Sequence, residues 1–145
     1  MAQKPIRSTD KSLPISLLRA REKIMDPIRK MLAESQISEQ KWRVLRVVAE
    51  AGPLEQSKIA DLACLLLPSL TRIVQALEKD GLLMRKVDGQ DKRRSIVSIT
   101  DAGNKLIAQH SEQSNKILSE IETQLGEEKL ETLFSILDDI RNIRI

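Results

Sequence analysis

Apolar residues from Leu13 to about Glu34 recur with the spacing of one face of an α-helix. Residues 1 to 12 are polar and lack this pattern, so we interpret them as a mobile arm. Pro27 lies inside the helical pattern and cannot donate a hydrogen bond to the carbonyl of Lys23. We therefore expect a first helix with a kink or break in the turn from Lys23 to Asp26.

Three shorter helices are predicted next. Ser38 is suited to cap a helix that ends at Gly52-Pro53, and residues 55 to 63 predict a short third helix. Pro68 opens a fourth helix that runs through Lys79 and is followed by Gly81, which suits a C-terminal cap. The third helix has the apolar positions Ile59, Leu62 and Ala63. The fourth has an inward face of Leu70, Ile73, Val74 and Leu77 and an outward face of Ser69, Thr71, Arg72, Gln75 and Lys79.

Two short strands and a turn follow. The stretches from Leu82 to Val87 and from Ser95 to Ile99 have strand character, the second being rich in β-branched residues. Asp88-Gly89 is a turn signal between them. The prediction is a hairpin whose tip carries charged residues.

The last 45 residues predict two helices with long apolar seams. Thr100 caps the first, Gly126 interrupts the pattern, and Glu127-Glu128 open the second. The seams comprise Leu106, Ile107, Ile117, Leu118, Ile121 and Leu125, then Leu130, Leu133, Phe134, Leu137, Ile140 and Ile143. Little chain remains to cover them, so we expect the same surface of a second copy, joined by the first helix, to do so.

The amino-acid composition indicates the class of fold and the cellular compartment. The 145 residues are 41% hydrophobic and 31% charged, and Trp42 and Phe134 are the only aromatic residues, which favours a Leu-rich core of packed helices. No apolar run is long enough to span a membrane and no secretory signal is present. With Cys64 as the only cysteine, we expect one cytoplasmic domain in a reducing compartment.

Positive charge is concentrated away from the C-terminal third. Residues 1–67 hold 12 Lys/Arg and 8 Asp/Glu, residues 68–100 hold 7 and 4, and residues 101–145 hold 5 and 9. This distribution suits a polyanionic partner for the middle of the chain, although solvated charged faces also produce such a split.

The fourth helix has the residue types that a DNA-reading helix needs. Arginine pairs bidentately with guanine, and short polar side chains fit the major groove. The candidate DNA-binding residues on this helix are Pro68, Ser69, Thr71, Arg72 and Gln75. An ordinary surface helix would tolerate the same residues.

The hairpin tip supplies a second DNA-binding candidate. Lys92, Arg93 and Arg94 could reach phosphates or the minor groove, and Asp91 could hold Arg93 by a charge-assisted hydrogen bond. A charge run usually only solvates a loop, but directly after a helix-turn-helix it favours a DNA-binding wing. The expected fold is therefore mainly α with a small β-wing, a winged helix-turn-helix with a helical dimerisation region.

Signals for catalysis are poor. His110 has no metal-ligand set at suitable spacing, and Cys64 lacks a CxxC partner, so a structural or surface role for His110 and a core position for Cys64 are favoured. No phosphate-binding glycine loop or nucleophile motif occurs, and no cofactor or metal is expected. A thiol switch through Cys64 and a winged-helix module for protein interaction stay open as alternatives.

The segments WRVLR, ACLLLPSLTRI and DKRR, in this order of elements, resemble the MarR family of bacterial transcription regulators across nearly the whole chain. They look most like the branch that regulates homoprotocatechuate and hydroxyphenylacetate degradation. The resemblance implies one domain over residues 1–145, with dimerisation helices at about 13–34 and 101–145 and a winged helix-turn-helix at about 38–100.

The resemblance also implies a partner and an effector. A homodimer would place two recognition helices in successive major grooves, about 34 Å apart on a pseudopalindromic operator. A small phenolic acid would relieve repression from a pocket near Ser16, Arg21, Trp42 and Arg46, where arginine neutralises a carboxylate and indole packs on a ring. Intersubunit ion pairs of Arg21 and Arg46 are an equal alternative.

Overall fold

The computed structural model describes residues 2–91 and 94–145. A short 3₁₀ helix, Thr9–Lys11, precedes the first α-helix. The elements in chain order are α1 (Leu13–Ala33), α2 (Glu39–Ala51), β1 (Leu54–Glu55), α3 (Gln56–Ala63), α4 (Leu67–Lys79), β2 (Leu83–Val87), β3 (Ser95–Ile99), α5 (Asp101–Leu125) and α6 (Glu127–Arg141). This order confirms the predicted fold class, mainly α with a small β-wing.

The chain forms two compact units. The central unit comprises Arg29–Gln113 and holds α2 to α4, the sheet and the first half of α5. The terminal unit comprises the residues up to Ile28 and Ser114–Ile145.

The core of the central unit is built from helices α2, α3 and α4 and one face of the sheet. Because the buried side chains are aliphatic and recur at helical spacing, each helix presents one stripe to this core. The fully buried members are Val44, Leu45, Val48, Ile59, Ala60, Ala63, Leu70, Val74, Leu77, Leu83 and Val97.

The sheet has three antiparallel strands in the order β1-β3-β2. β2 and β3 form the predicted hairpin, with Leu83 opposite Ile99 and Val87 opposite Ser95. We call the hairpin of β2 and β3 the wing. β1 pairs Leu54 with Val97 and was not predicted, because two residues have no detectable alternation.

The base of the wing is fixed between α4 and α5. Gly81 has φ of 76°, a left-handed conformation that glycine adopts without a side-chain clash, as its predicted cap role requires. The Thr100 hydroxyl donates to the Gly81 carbonyl at 2.6 Å and accepts from the Gly103 amide at 3.1 Å. Thr100 therefore caps α5 as predicted and joins it to the turn that begins β2.

Other local predictions concern the helices α1, α2 and α3. The Ser38 hydroxyl accepts from the Lys41 amide at 3.2 Å, which confirms the cap of α2. α1 is continuous from Leu13 to Ala33, so a break before Pro27 was wrong, while a kink there stays a prediction. A proline removes one hydrogen bond, and the remaining hydrogen bonds of a 21-residue helix keep it continuous. Leu62, one of the apolar positions that predicted α3, is 48% exposed.

The terminal unit leaves much apolar surface uncovered. α6 has no buried residue. The large hydrophobic side chains that stay exposed in this unit, apart from Ile6 in the N-terminal arm, are Leu13, Leu17, Leu18, Leu125, Leu133, Phe134, Ile136, Ile143 and Ile145. The predicted seams are therefore only partly covered within one chain, and their exposed members are Leu125, Leu133, Phe134 and Ile143.

Within the described ranges no single helix is both long and apolar enough to cross a membrane. α3 and α4 reach that length and composition together, but they are bent by 107° relative to each other. Their apolar residues form the core of the central unit.

Candidate nucleic-acid interface

α4 separates its side chains into two faces. Leu70, Val74 and Leu77 are buried in the core, which anchors the helix along its length. Four candidate DNA-binding residues are exposed on its other side: Pro68, Ser69, Arg72 and Gln75. No side chain caps the helix at Leu66, so its first amide groups have no side-chain acceptor there. This arrangement leaves a polar face that a partner can reach.

Thr71 differs from the other four candidates on α4. Its hydroxyl lies 3.0 Å from the Leu67 carbonyl and 3.3 Å from Oε1 of Gln56, and the residue is half-buried. A hydroxyl has one proton, so Thr71 donates to one of these two acceptors at a time. Either contact holds its side chain against the protein. Thr71 is thus placed beside the predicted face and also tied to α3.

The wing carries the basic candidates, of which the structure describes Arg94. Arg94 forms an ion pair with Glu55, and the two side chains are 53% and 35% exposed. Its amide donates to the Asp91 carbonyl at 3.0 Å, and its carbonyl accepts from the Asp88 amide at 2.8 Å. Arg94 is therefore held both at its backbone and at its guanidinium.

Lys92 and Arg93, together with the predicted Asp91–Arg93 hydrogen bond, lie outside the described residues. Asp88 orders the start of the turn, since its carboxylate accepts from the Gln90 amide at 2.9 Å. The turn signal at Asp88 thus has the local hydrogen bond that such residues supply.

The predicted effector residues are divided between the two units. Ser16 and Arg21 lie on α1 in the terminal unit, where Ser16 is exposed and Arg21 is half-buried. Trp42 and Arg46 lie one helical turn apart on α2 in the central unit. Trp42 is buried, whereas Arg46 is exposed.

Trp42 packs against His110 with perpendicular rings whose centroids are 5.8 Å apart. His110 is 2% exposed, and its Nε2 lies 2.7 Å from the Ser35 hydroxyl. A buried imidazole needs such a partner, so this contact joins α5 to the turn after α1. His110 has the structural role that was favoured, although its partners are distant in sequence and were not predicted.

The position of Cys64 differs from the one predicted. It was favoured as a core residue because its neighbours are apolar, but it is exposed. It ends α3 in the left-handed conformation, with φ of 55°, between the buried Ala63 and the half-buried Leu65. Its thiol is therefore accessible in the turn between α3 and α4.

Two functional candidates were missed by sequence reasoning. Glu55 and Gln56 contact Arg94 and Ser95 across 39 positions of sequence, so no local pattern identifies them. Among the described residues no group of three or more His, Cys, Asp or Glu side chains could hold a metal ion.

Comparisons with known proteins agree with this architecture. The model of the MarR family matches residues 37–95. The HTH-type transcriptional regulator FarR of Neisseria gonorrhoeae is 37% identical over 139 residues, covering 96% of this chain and 95% of the relative. The homoprotocatechuate degradative operon repressor of Escherichia coli is 35% identical over 128 residues, covering 88% and 86%.

A solved structure extends the likeness to three dimensions. NadR in complex with 4-hydroxyphenylacetate is 35% identical, with a TM-score of 0.82 and coverage of 99% of this chain and 100% of that one. The named relatives are transcriptional regulators, in agreement with the expectation that the chain is not an enzyme. The chain belongs to the MarR family, and it is a winged-helix transcriptional regulator.

Proposed function

We propose that the protein is a homodimeric repressor that binds a pseudopalindromic operator and is released by a small aromatic carboxylic acid. The observation that carries the DNA-binding part is the exposed polar face of α4, held by a buried apolar face beside a basic wing. The relatives support the proposal of a repressor, since one of them is named the homoprotocatechuate degradative operon repressor.

In this proposal α4 is the recognition helix. Arg72 pairs with a guanine through two hydrogen bonds, while Ser69, Thr71 and Gln75 contact neighbouring base edges or phosphates. Pro68 shapes the start of the helix, where the backbone comes close to the DNA. Lys92, Arg93 and Arg94 of the wing contact phosphates or the minor groove.

Dimerisation follows from the terminal unit. Leu133, Phe134 and Ile136 of α6 are exposed, and a monomer would leave them in water. A second copy that presents the same surface covers them by two-fold symmetry. The dimer also brings two copies of α4 to one operator, as repressors with palindromic sites require.

The effector proposal rests on relatives and on chemistry. NadR was solved with 4-hydroxyphenylacetate, a phenolic acid with one carboxylate. Arg46 and Arg21 would bind such a carboxylate, Ser16 would donate a hydrogen bond, and Trp42 would contact the ring. The acid must bind one arrangement of the dimer better than the DNA-bound arrangement, because otherwise it shifts no population.

The DNA-binding test uses fragments that the wild-type protein selects from its source genome. Arg72→Ala should lower operator affinity about 10- to 100-fold, the range for one bidentate base contact, and leave non-specific binding nearly unchanged. Arg144→Ala, which removes an exposed arginine near the C-terminus, is the matched control. Equal operator affinity of wild type and Arg72→Ala, or binding that ignores salt, would contradict the proposal and favour a protein-interaction module.

The effector test uses the fluorescence of Trp42, the only tryptophan in the sequence. Titration with 4-hydroxyphenylacetate should change this fluorescence and release the operator in the same concentration range. Arg46→Ala should weaken the acid about 10- to 100-fold because a charge-assisted hydrogen bond is lost, whereas Lys58→Ala should not. Operator affinity that stays constant under saturating phenolic acids would refute this mode of release.

Thiol-dependent release of the operator is a second candidate function. It is favoured by the exposure of Cys64, since a thiol in the core, as first expected, would not be accessible to an oxidant. Peroxide should then release the operator from the wild type and not from Cys64→Ser. Release that persists in Cys64→Ser would dismiss this candidate.

A further inference from the structure

A cleft of about 280 Å³, lined by both polar and apolar groups, lies between the first turns of α4 and the start of β3. Thr71 comes from α4, Arg94 and Ser95 from the wing, and Glu55 and Gln56 from the junction of β1 with α3. The cleft thus lies where the two candidate DNA-binding elements are closest to the same short segment.

Gln56 bridges the two sides of this cleft. Its Nε2 donates to the Ser95 hydroxyl at 2.9 Å, and its Oε1 accepts from the Thr71 hydroxyl at 3.3 Å. The bridge survives exchange of the amide oxygen and nitrogen, because both partners are hydroxyls that donate or accept. In the exchanged orientation Thr71 is free to donate to the Leu67 carbonyl, 3.0 Å away.

The two ends of α4 are held differently. Near the C-terminal end, Leu77 and Leu83 are buried together, the Leu82 amide donates to the Leu77 carbonyl at 2.9 Å, and Arg85 pairs with Glu78 at 3.7 Å. At the N-terminal end Leu67 and Pro68 are exposed. Leu70 packs in the core on the inner side of this end, and Gln56 adds a hydrogen-bonded link from it to the wing.

We propose that Gln56 is a positioning residue for DNA recognition, which holds the N-terminal half of α4 in register with the wing. This inference rests on the proposed function, in which both elements contact one operator. When the two elements are held in the bound geometry beforehand, less conformational entropy is lost on binding. Without the bridge, the wing and α4 bind the operator more independently, so binding of one element increases the affinity of the other by less.

Two variants remove the bridge with little effect on stability. Gln56→Met keeps the length of the side chain without its hydrogen bonds, while Ser95→Ala removes the partner on the wing. The Thr71 hydroxyl keeps the Leu67 carbonyl, and the half-buried Ser95 reaches solvent. Thermal unfolding midpoints should therefore stay near that of the wild type, and Gln40→Met, at an exposed glutamine of α2, serves as the control.

The measurement is the affinity for the selected operator and for unrelated DNA. Gln56→Met and Ser95→Ala should each lower operator affinity about 3- to 10-fold, as expected for one lost hydrogen-bonded link. The double variant should be no weaker than the stronger single variant, because both changes break the same bridge. Affinity for unrelated DNA should be unchanged, so the specificity ratio falls by the same factor.

A wing variant distinguishes positioning from a merely structural role. In a protein carrying Lys92→Ala and Arg93→Ala, the wing has lost two of its three basic tip residues, so adding Gln56→Met should have a smaller further effect. Operator affinity of Gln56→Met equal to that of Gln40→Met, or an undiminished effect in the wing variant, would overturn the inference. Failure of the proposed function gives another result, in which Arg72→Ala and the wing variant themselves bind DNA like the wild type.

Discussion

At the scale of single residues, the ion pair of Glu55 with Arg94 affects the charge that the tip of the wing presents. Both side chains are partly exposed, so water and salt screen their attraction. A DNA phosphate approaching Arg94 must compete with the Glu55 carboxylate and is also repelled by it. The protein thus contains an internal competitor for its own DNA ligand.

Glu55→Gln should therefore strengthen binding to DNA. We expect about a 3- to 10-fold gain in affinity at low salt, and the dependence on salt should steepen by about one phosphate contact. Fluorescence anisotropy with labelled operator across a salt series measures both quantities. Glu50→Gln makes the same charge change at an exposed position of α2. An equal gain in both variants would mean that net charge alone, without the Arg94 contact, explains the effect.

At the scale of elements, the start of α5 and the base of the wing are packed without spare room. Gly103 is buried in the first turn of α5. A Cβ atom there would lie 2.4 Å from the Leu82 carbonyl oxygen and 2.6 Å from Cγ1 of Ile99. One of these neighbours is backbone, so the wing or the helix would have to move.

Gly103→Ala should destabilise the protein by about 2–3 kcal/mol, the usual cost of an overpacked site, although alanine is the better helix former. Urea unfolding at one fixed protein concentration measures this change, since the stability of a dimer depends on concentration. Asn104→Ala, at the exposed neighbouring position, should change stability by less than about 0.5 kcal/mol. A Gly103→Ala protein as stable as Asn104→Ala would show that the junction yields without cost.

At the scale of the whole molecule, the two units differ in how much of their apolar surface one chain buries. The central unit buries its aliphatic core within one chain, whereas α6 of the terminal unit buries no residue. Apolar surface of this extent is unfavourable in water and is typical of an interface. We therefore expect the oligomeric state to depend on the terminal unit.

Phe134→Lys should shift the protein toward monomers, because it places a charge where an exposed aromatic side chain would be covered by the second copy. Sedimentation velocity over a range of concentrations measures the shift, and operator binding should weaken with it as the two half-sites become independent. Ser135→Lys adds the same charge at an exposed neighbouring position, about 100° around the helix axis from Phe134. Identical sedimentation of the two variants would place the interface elsewhere.

Sequence alone determined the local architecture of this protein. The spacing of apolar residues identified the helices, and Ser38, Gly81 and Thr100 marked ends that the structure confirms. It also indicated the two faces of α4, with Arg72 exposed and Leu70 buried. These features depend on residues a few positions apart, so helical and strand periodicity and capping chemistry reveal them.

Tertiary structure decided which distant residues meet. The pairing of β1 with β3, the Gln56 bridge and the contact of His110 with Ser35 join residues far apart in the chain. The exposure of Cys64 likewise follows from a left-handed turn and not from its apolar neighbours. Such contacts arise when the buried helix faces pack together. Periodicity in the sequence identifies which face of a helix is buried, but it does not identify the distant residue that this face contacts.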